Sequence, residues 1–597
     1  MLKNALSVYK IILKYSPRTL CLKGMTLIFS VLLVPLNIVL MQELIDSVYG
    51  ISEKSMDSKG VLFYGAALSL TMFALASLPY LEKWIDLRAQ HRLVQSFTPH
   101  MLMKFTAIDY GHFDNPEMLD TIQQMGDKVH EKMIVFFNAT LKTLSNILSI
   151  ILTSLLFAKL SPYFLIGFFM ICLPMLYFDF KSTRMIQELF DAQSAEQRKQ
   201  NYLMSLITSK HTLCELKLFR GIDYVIDKWK LSAELMFKAE VKTTLKSKCL
   251  LLLSSLLLSL FTVYVMYFLS KGLYQKEISL GLFIALVGAI ESIYVMTYSL
   301  SGSLAEWVKA GHTMGHYLKF MKMEEDNRPQ KNQSSMALDK VLIEFKEVHF
   351  TYPNAKEKAL NGVSFVFQSH ESLAIVGRNG AGKSTLIKLL CGLYKVDQGV
   401  ILVNGINIDD LSRQELKKVC SLVFQDYSKF NLSLRENIAL TQLEDLEKTE
   451  KIQRAMAQGL VDEAFKGDLD QLLGNLEKES RDLSEGQWQR IAIARACFSE
   501  SAFIVLDEPT ASIDPMAESK MYHSFFEVLG LKGCIIISHR LASAKICQKI
   551  LVLDQGKSIA YGSHDELMKT SKPYAKMFNE QSWWYLEKED DLRYENL

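Results

Sequence analysis

The sequence predicts a multidomain chain: an all-α transmembrane domain of six helices, followed by an α/β domain built around a phosphate-binding loop. Three observations predict it. Six apolar stretches long enough to cross hydrocarbon all lie before residue 310. After residue 340, short β-rich runs alternate with helical patterns. One of those runs, "SLAIV", leads straight into "GRNGAGKST". At 597 residues the chain is also too long for a single hydrophobic core.

The first element expected is a helix over residues 2–16. Lys3, Ser7, Lys10 and Lys14 recur at helical spacing, with Leu2, Leu6, Tyr9, Ile12 and Leu13 around the rest. That pattern suits a helix lying in the membrane interface, its lysines toward lipid headgroups. The segment has neither the cleavage site nor the clean apolar core of a signal peptide. Spans are expected near 24–47, 61–81, 133–160, 162–180, 249–269 and 280–304. The connections at 84–130 and 181–246 are long, polar and helical in pattern, and the others are short.

Basic residues set the orientation, because they stay preferentially on the cytoplasmic side. Lys3, Lys10, Lys14, Arg18 and Lys23 flank the first span; Arg88, Arg92, Lys104, Lys181, Arg184, Lys217, Arg220 and Lys228 occupy the long connections. Both termini, both long connections and the second domain are therefore expected in the cytoplasm. A net charge of +2 gives no sign of a nucleic-acid binder. Nine cysteines with no CxxC pair suit neither a disulfide framework nor a zinc site. No Cys/His nucleophile arrangement lies near the N-terminus, so no peptidase domain is expected ahead of the membrane part.

The boundaries follow from composition: a transmembrane domain over 1–309, a polar linker over 310–340 containing Pro329, an α/β domain over 341–582, and an acidic tail over 583–597. In the α/β domain, Gly377, Arg378, Asn379, Gly380, Ala381 and Gly382 form a loop between a strand and the helical "LIKLLCGL". Glycines let successive backbone N–H groups converge on a phosphate, and the helix N-terminus behind them adds a positive dipole. Lys383 is placed to reach β- and γ-phosphates, and Ser384, ahead of Thr385, to offer a hydroxyl to Mg²⁺. "FIVLDE" supplies the partner, a buried strand ending in Asp507 and Glu508. Asp507 suits a Mg²⁺ sphere, and Glu508 can polarise an attacking water as general base.

With these in place, residues 341–582 resemble the nucleotide-binding domain of ABC transporters, a P-loop NTPase of the ABC type. "LSEGQ" looks like that family's signature loop, and "FTYP", "VFQD", "SIDP" and "IISHR" are similar to its other marks, in order. The resemblance implies two such domains stacked head to tail, each signature closing over the other's ATP. It implies that Tyr352 stacks on adenine, that Gln425 contacts Mg²⁺, and that Ser484, Gly486 and Gln487 hold the opposite γ-phosphate. It implies that His539 steadies that phosphate and that Asp514 communicates across the dimer.

This sequence departs from the family at Glu485, where glycine is usual. A grip made of backbone N–H groups, the Ser484 hydroxyl and a helix dipole tolerates any side chain that points outward, so Glu485 is expected to face away. Ser480 replaces another common glycine in "KESRD".

Six spans followed by one such domain resemble the half-transporter layout of type IV ABC exporters. That layout implies short transverse coupling helices near Asn115–Ile122 and Phe219–Trp229. It also implies a dimer, and since every hydrolytic motif is in this chain, a homodimer using ATP and Mg²⁺. "VFQDYSKFNLSLRENIAL", Trp488 and the tail "SWWYLEKEDDLRYENL" look like the nisin-type lanthipeptide exporters of bacteria. That likeness implies a peptide cargo, the bacterial plasma membrane, membrane lipids as surroundings, and a separate modification enzyme or peptidase as a further partner. Glu291, mid-span and beside Tyr294 and Tyr298, marks a candidate substrate cavity, with Lys142 and Asn146 as its candidate neighbours. Lipid or lipid-linked-sugar flippases and multidrug exporters share the nucleotide chemistry and stay open.

Overall fold

The computed structural model describes residues 2–52, 58–126, 128–159, 162–326, 328–329, 340–461, 465, 468–508, 532–538 and 541–581. The chain forms two compact units, Met1–Thr106 with Glu117–Met323, and Ala107–Pro116 with Glu324–Leu597.

The first unit is helical: α1 (Leu2–Tyr15), α2 (Pro17–Ser52), α3 (Ser58–Ala107), α4 (Pro116–Met125), α5 (Val129–Ser154), α6 (Pro162–Thr208), α7 (Lys210–Leu218), α8 (Ile222–Tyr274) and α9 (Leu280–Met321). Five of these, α2, α3, α5, α8 and α9, are long and apolar enough to cross a membrane. The remaining expected stretch, 162–180, opens α6; the side chains of 162–173 and 176 lie outside the described residues. At about 1.5 Å per residue, α3 and α8, of 50 and 53 residues, run roughly 75–80 Å, more than twice the hydrocarbon thickness. The long polar connections are thus continuations of the spanning helices. Leu62, Phe63, Leu70 and Phe73 stand exposed along α3, a surface tenable in lipid and costly in water.

α5 packs on α9, α6 on α8, and α2 against both α5 and α9. Phe261, Val265, Leu269, Leu286, Ala289 and Ile293 form the buried centre. α2 and α9 approach so closely at Gly281 that a Cβ there would lie 2.4 Å from the Gln42 carbonyl oxygen. Asp46 of α2 accepts from Gly281 N–H at 2.9 Å and from the Ser279 hydroxyl at 2.8 Å, a carboxylate completing the start of α9. α1 buries Val8 and Ile12, with Tyr9 edge-on to Phe137.

Two expectations need correction. The polar linker does not begin at 310: α9 continues to Met321 and buries Met314, Tyr317 and Phe320. These apolar residues recur every third position inside a polar-looking run, and their rings meet Phe97 and Phe105 of α3. Nor is Phe219–Trp229 a separate transverse helix. The chain breaks at 219–221, where Phe219 and Gly221 N–H groups close α7 onto Glu215 and Leu216 and Arg220 takes φ 52; α8 then runs on unbroken from Ile222. A short helix does form at α4, with Pro116 in its first turn.

In the second unit β1 (Leu342–Phe350), β2 (Leu360–Gln368), β4 (Gln398–Val403) and β5 (Ile406–Asn407) make an antiparallel sheet in the order β2-β1-β4-β5. β3 (Ser372–Gly377), β6 (Cys420–Val423), β7 (Phe503–Asp507), β8 (Gly533–Ile537), β9 (Lys549–Asp554) and β10 (Lys557–Gly562) make the second, in the order β10-β9-β3-β8-β7-β6. All neighbours there are parallel except β10. β7 and β8 are buried throughout, as a parallel sheet covered on both faces requires. A helical lobe of α11 (Leu434–Ala439), α12 (Thr449–Gln458) and α13 (Glu485–Phe498) closes on Leu434, Ile438, Ile452, Trp488, Ile491 and Phe498.

Arg328 ties the start of this unit to its body. Its guanidinium is buried, donating to the carbonyl oxygens of Ile408 at 3.1 Å and Gly392 at 2.9 Å, with Asp326 and Asp409 beside it. Gly392 sits at φ 65, and a Cβ there would lie 2.8 Å from Arg328 Nη1. Removing one partner of a buried charge network costs about 3 kcal/mol. Arg328→Met is expected to lower the melting temperature of the full chain by several degrees in calorimetry, and a shift under about 1 °C would contradict this account.

Candidate active site

Strand β3 ends on Gly377, where a Cβ would lie 2.2 Å from the Leu553 carbonyl oxygen of β9. The loop then curls through Gly380 at φ 78 and Gly382 at φ 98; at Gly382 a Cβ would lie 2.6 Å from the Ala359 oxygen. The glycines are therefore dictated by close packing as well as by conformation. Arg378 and Asn379 are exposed, Ala381 is buried, and helix α10 (Lys383–Leu390) opens behind them. The buried Lys383 donates from Nζ to the carbonyl oxygens of Gly377 at 2.9 Å and Arg378 at 3.0 Å, so the loop wraps around its ammonium.

The P-loop strand and the Asp507 strand are not adjacent; β8 runs between them. Asp507, the last residue of β7, is buried, with the Ser384 hydroxyl near enough to favour its ionised form. Burial first, and then the neighbouring Glu508 charge, push its carboxyl up to about 6, against the pull of Ser384, Lys383 and Lys388. Burial likewise lowers Lys383, opposed by the charges of Glu508 and Asp507. Glu508 leaves the strand at φ 48, its N–H donating to the Ile537 carbonyl at 3.1 Å. A left-handed non-glycine residue of this kind marks a constrained turn.

Tyr352 meets the same helix: its hydroxyl is 3.1 Å from Thr385 Oγ1, and Lys388 lies over its ring at 5.4 Å. Tyr394 stands edge-on to Tyr352 and donates to Asp114 Oδ2 at 2.6 Å, which links the segment before α4 to the tyrosine pair. Gln425 is exposed on the turn after β6. Ser484 caps α13 through a reciprocal pair: its Oγ accepts from Gln487 N–H at 3.3 Å, and Gln487 Oε1 accepts from Ser484 N–H at 3.1 Å. A Cβ on Gly486 would meet nothing within 4 Å, so nothing in this chain demands glycine there. His539 and Asp514 lie outside the described residues.

In the helical unit, Tyr294 and Tyr298 of α9 line one cavity with Asp179 of α6 and Ser254 of α8. Glu291 is exposed and is not among that cavity's lining residues. Its expected neighbours are engaged elsewhere. Asn146 donates to Ser299 Oγ at 3.2 Å, and Lys142 lines a separate polar cavity of about 290 Å³ with Lys23, Glu82, Asp86 and Asn138.

Residues 360–511 match the family described as ABC transporter. The chain is an ABC transporter, built as a half-transporter with membrane and nucleotide-binding domains in one polypeptide. It is similar to the subtilin transport ATP-binding protein of Bacillus subtilis, 28% identical over 489 residues, 81% of this chain and 79% of that one. It is similar to the nisin transport ATP-binding protein of Lactococcus lactis, 25% identical over 564 residues and 92% of each chain. The ATP-dependent lipid A-core flippase of Haemophilus ducreyi is 34% identical, but over 260 residues, 43% of this chain and 44% of its own. A solved bacterial Atm1-family ABC exporter with ATP bound covers 96% of this chain and 99% of its own, with a TM-score of 0.76 at 18% identity; it shares the fold. As an ABC transporter the chain is a multi-pass membrane protein and an ATPase coupled to transport.

Sequence reading missed two features of this ABC half-transporter. Asp179, buried at the edge of an apolar stretch, shows no helical charge pattern that would have singled it out. The partners of Glu485 were also unseen. Its carboxylate pairs with Lys429 and accepts from the Tyr427 hydroxyl at 3.1 Å, while Tyr427 also donates to the Glu485 carbonyl at 2.7 Å. Lys429 holds this carboxyl below the usual glutamate range.

Two predictions follow from this geometry. The Glu485–Lys429 pair is exposed, and such pairs contribute about 0–1 kcal/mol. Glu485→Gly should therefore keep ATP hydrolysis within about twofold of wild type; a larger loss would show that Glu485 acts in the site. Asp507 is a carboxyl raised by folding, so its stability contribution is present below its ordinary 3.8 and is lost as pH rises through about 6. Asp507→Asn should melt higher than wild type at pH 7 without nucleotide. A lower melting temperature would refute the charge argument.

Proposed function

We propose that this chain is an ATP-driven exporter of a peptide, of the lanthipeptide or bacteriocin kind, working as a homodimer by alternating access. One observation carries the peptide reading. The likeness to the nisin and subtilin transport proteins runs over 92% and 81% of the chain, so it must extend well into the membrane half. The likeness to the flippases reaches less far, 43% of the chain for that of Haemophilus ducreyi and 61% for that of Coxiella burnetii. The longer reach of the likeness to the peptide transporters into the membrane half is what supports a peptide cargo.

In this reading the loop N–H groups of 377–382 and the start of the following helix hold the β- and γ-phosphates with Lys383. Tyr352, already seated over that helix, stacks on adenine. The donors near Asp507 fit Mg²⁺: a buried carboxylate and the Ser384 hydroxyl beside it, with the Gln425 amide oxygen on the adjoining turn. Ser384, Gln425 and Asp507 would hold the ion, which neutralises charge on the β- and γ-oxygens. Glu508 takes the proton of the attacking water, and His539 steadies the transferred phosphoryl group. Ser484, Gly486 and Gln487 close over the ATP of the second copy, where the open space at Gly486 leaves room for a phosphate oxygen. Asp514 signals across that dimer.

ATP binds the closed pair better than the open pair, so binding shifts the membrane cavity outward and hydrolysis resets it. The nucleotide domain and both termini lie in the cytoplasm of a bacterium, beneath its plasma membrane.

The test is ATPase activity of the purified chain in lipid, wild type beside Glu508→Gln, with and without a leader-bearing lanthipeptide precursor. Basal turnover should fall at least about 100-fold in the variant, a size typical of losing a general base, and the peptide should stimulate the wild type severalfold. Stimulation by lipid A or hydrophobic drugs but not by peptide would transfer the cargo to the flippase or multidrug class.

A further inference from the structure

The cavity beneath Tyr294 and Tyr298 is arranged around a carboxylate with too few partners. Asp179 is 3% exposed, on α6 where it faces α8 and α9. The Ser254 hydroxyl beside it in the lining donates to the Met175 carbonyl oxygen at 3.5 Å, and Asp179 makes no ion pair among the described residues. None of the residues lining the cavity is basic. An ionised carboxylate offers about four acceptor positions to be satisfied. A charge held this way inside a membrane bundle is costly, and such residues mark functional sites.

The rest of the lining says what completes it. Thr297 and Ser301 add hydroxyl groups, while Tyr294 and Tyr298 present their rings, 48% and 74% exposed, at the edge of the cavity. Aromatic faces beside a buried anion attract a cation twice over, through the ring quadrupole and through the charge. The cavity itself is about 60 Å³, room for a head group with a few attached carbons and not for a whole cargo. Glu291 is no rival for this role, because it is exposed and is not part of the cavity lining.

We propose that Asp179, with Tyr294 and Tyr298, forms a binding subsite for an alkylammonium group carried by the transported molecule. This rests on the peptide-export reading, in which lysine side chains and the N-terminal amine are the ammonium groups on offer. It adds to that reading the chemical feature of the cargo that the membrane domain selects.

The experiment uses the full chain in nanodiscs of phosphatidylcholine, with dansylcadaverine as the probe and its N-acetyl derivative as the uncharged control, read by fluorescence anisotropy. Wild type should bind the amine saturably and the amide at least about tenfold more weakly, the cost of losing a charge-assisted contact. Asp179→Asn should weaken the amine about tenfold, Asp179→Glu should recover most of it, and Tyr294→Leu or Tyr298→Leu should cost about threefold each. Melting curves show whether each variant has folded. If Asp179→Asn does not fold, the amine-against-amide comparison in wild type still decides. Equal binding of amine and amide, or a folded Asp179→Asn that binds like wild type, overturns the subsite. Failure of peptides to stimulate ATP hydrolysis, with Asp179-dependent amine binding intact, would overturn the peptide reading and leave the subsite standing. Peptide stimulation unaffected by Asp179→Asn would do the reverse.

Discussion

The nucleotide domain depends on holding three charges, Lys383, Asp507 and Glu508, at the carboxyl ends of buried parallel strands. The sheet makes that possible. β8 separates the P-loop strand from the Asp507 strand, which leaves a gap between their ends where ligands of open α/β sheets bind. Asp507 sits in that gap at a cost, since burial and Glu508 both disfavour its ionised form. Lys383 relieves part of the cost, and the loop carbonyls of Gly377 and Arg378 in turn hold Lys383. The glycines permit the loop to pass within contact of Leu553 and Ala359. Remove any one of these conditions and the remaining charges lose the arrangement that tolerates them.

How much of this was legible in the sequence depends on how local each cause is. The P-loop and "FIVLDE" could be read directly, because glycine conformations and a continuous apolar strand are written in adjacent residues. Five of the apolar stretches were legible for the same reason. What escaped were features set by partners far along the chain. The extent of α9 rests on Tyr317 and Phe320 meeting rings of α3, more than 200 residues earlier. Glu485 turns toward Tyr427 and Lys429, 58 and 56 residues away. Trp488 read as a family mark, and the structure gives it a packing role in the helical lobe. The break before α8 was misplaced because "FRGIDYVIDKW" contains both the stop, at Gly221, and a strong helix start.

The membrane unit shows the same limit from the opposite side. Lys23 reads in sequence as one of the basic residues that orient the first span. In the structure it is 5% exposed and paired with Asp86 at 2.9 Å, and Asp86 also accepts from Asn138 at 2.9 Å. Ser30 meets Ser145, Ser182 meets Ser247 at 2.5 Å, and Thr143 donates to Ser303. Without a hydrophobic drive between helices in lipid, such contacts and close packing hold the bundle together. A lysine can therefore serve orientation during insertion and cohesion afterwards, and a count of charges sees the first role alone.

This division of labour bears on cargo. The residues proposed to grip phosphate and activate water would serve a peptide or a lipid transporter alike, and the nucleotide half is where the likeness to the flippase of Haemophilus ducreyi is of the right length to lie. Selectivity has to come from groups the nucleotide chemistry does not use. Among the described residues, the helical unit holds cavities of different character: a larger one of mixed charge around Lys23, Glu82, Asp86 and Lys142, and a small, mostly apolar one with a single negative charge at Asp179. A peptide cargo meeting cavities of this size would engage each through one side chain at a time. Because each contact then contributes little, a transporter built this way can bind firmly enough to select and loosely enough to release.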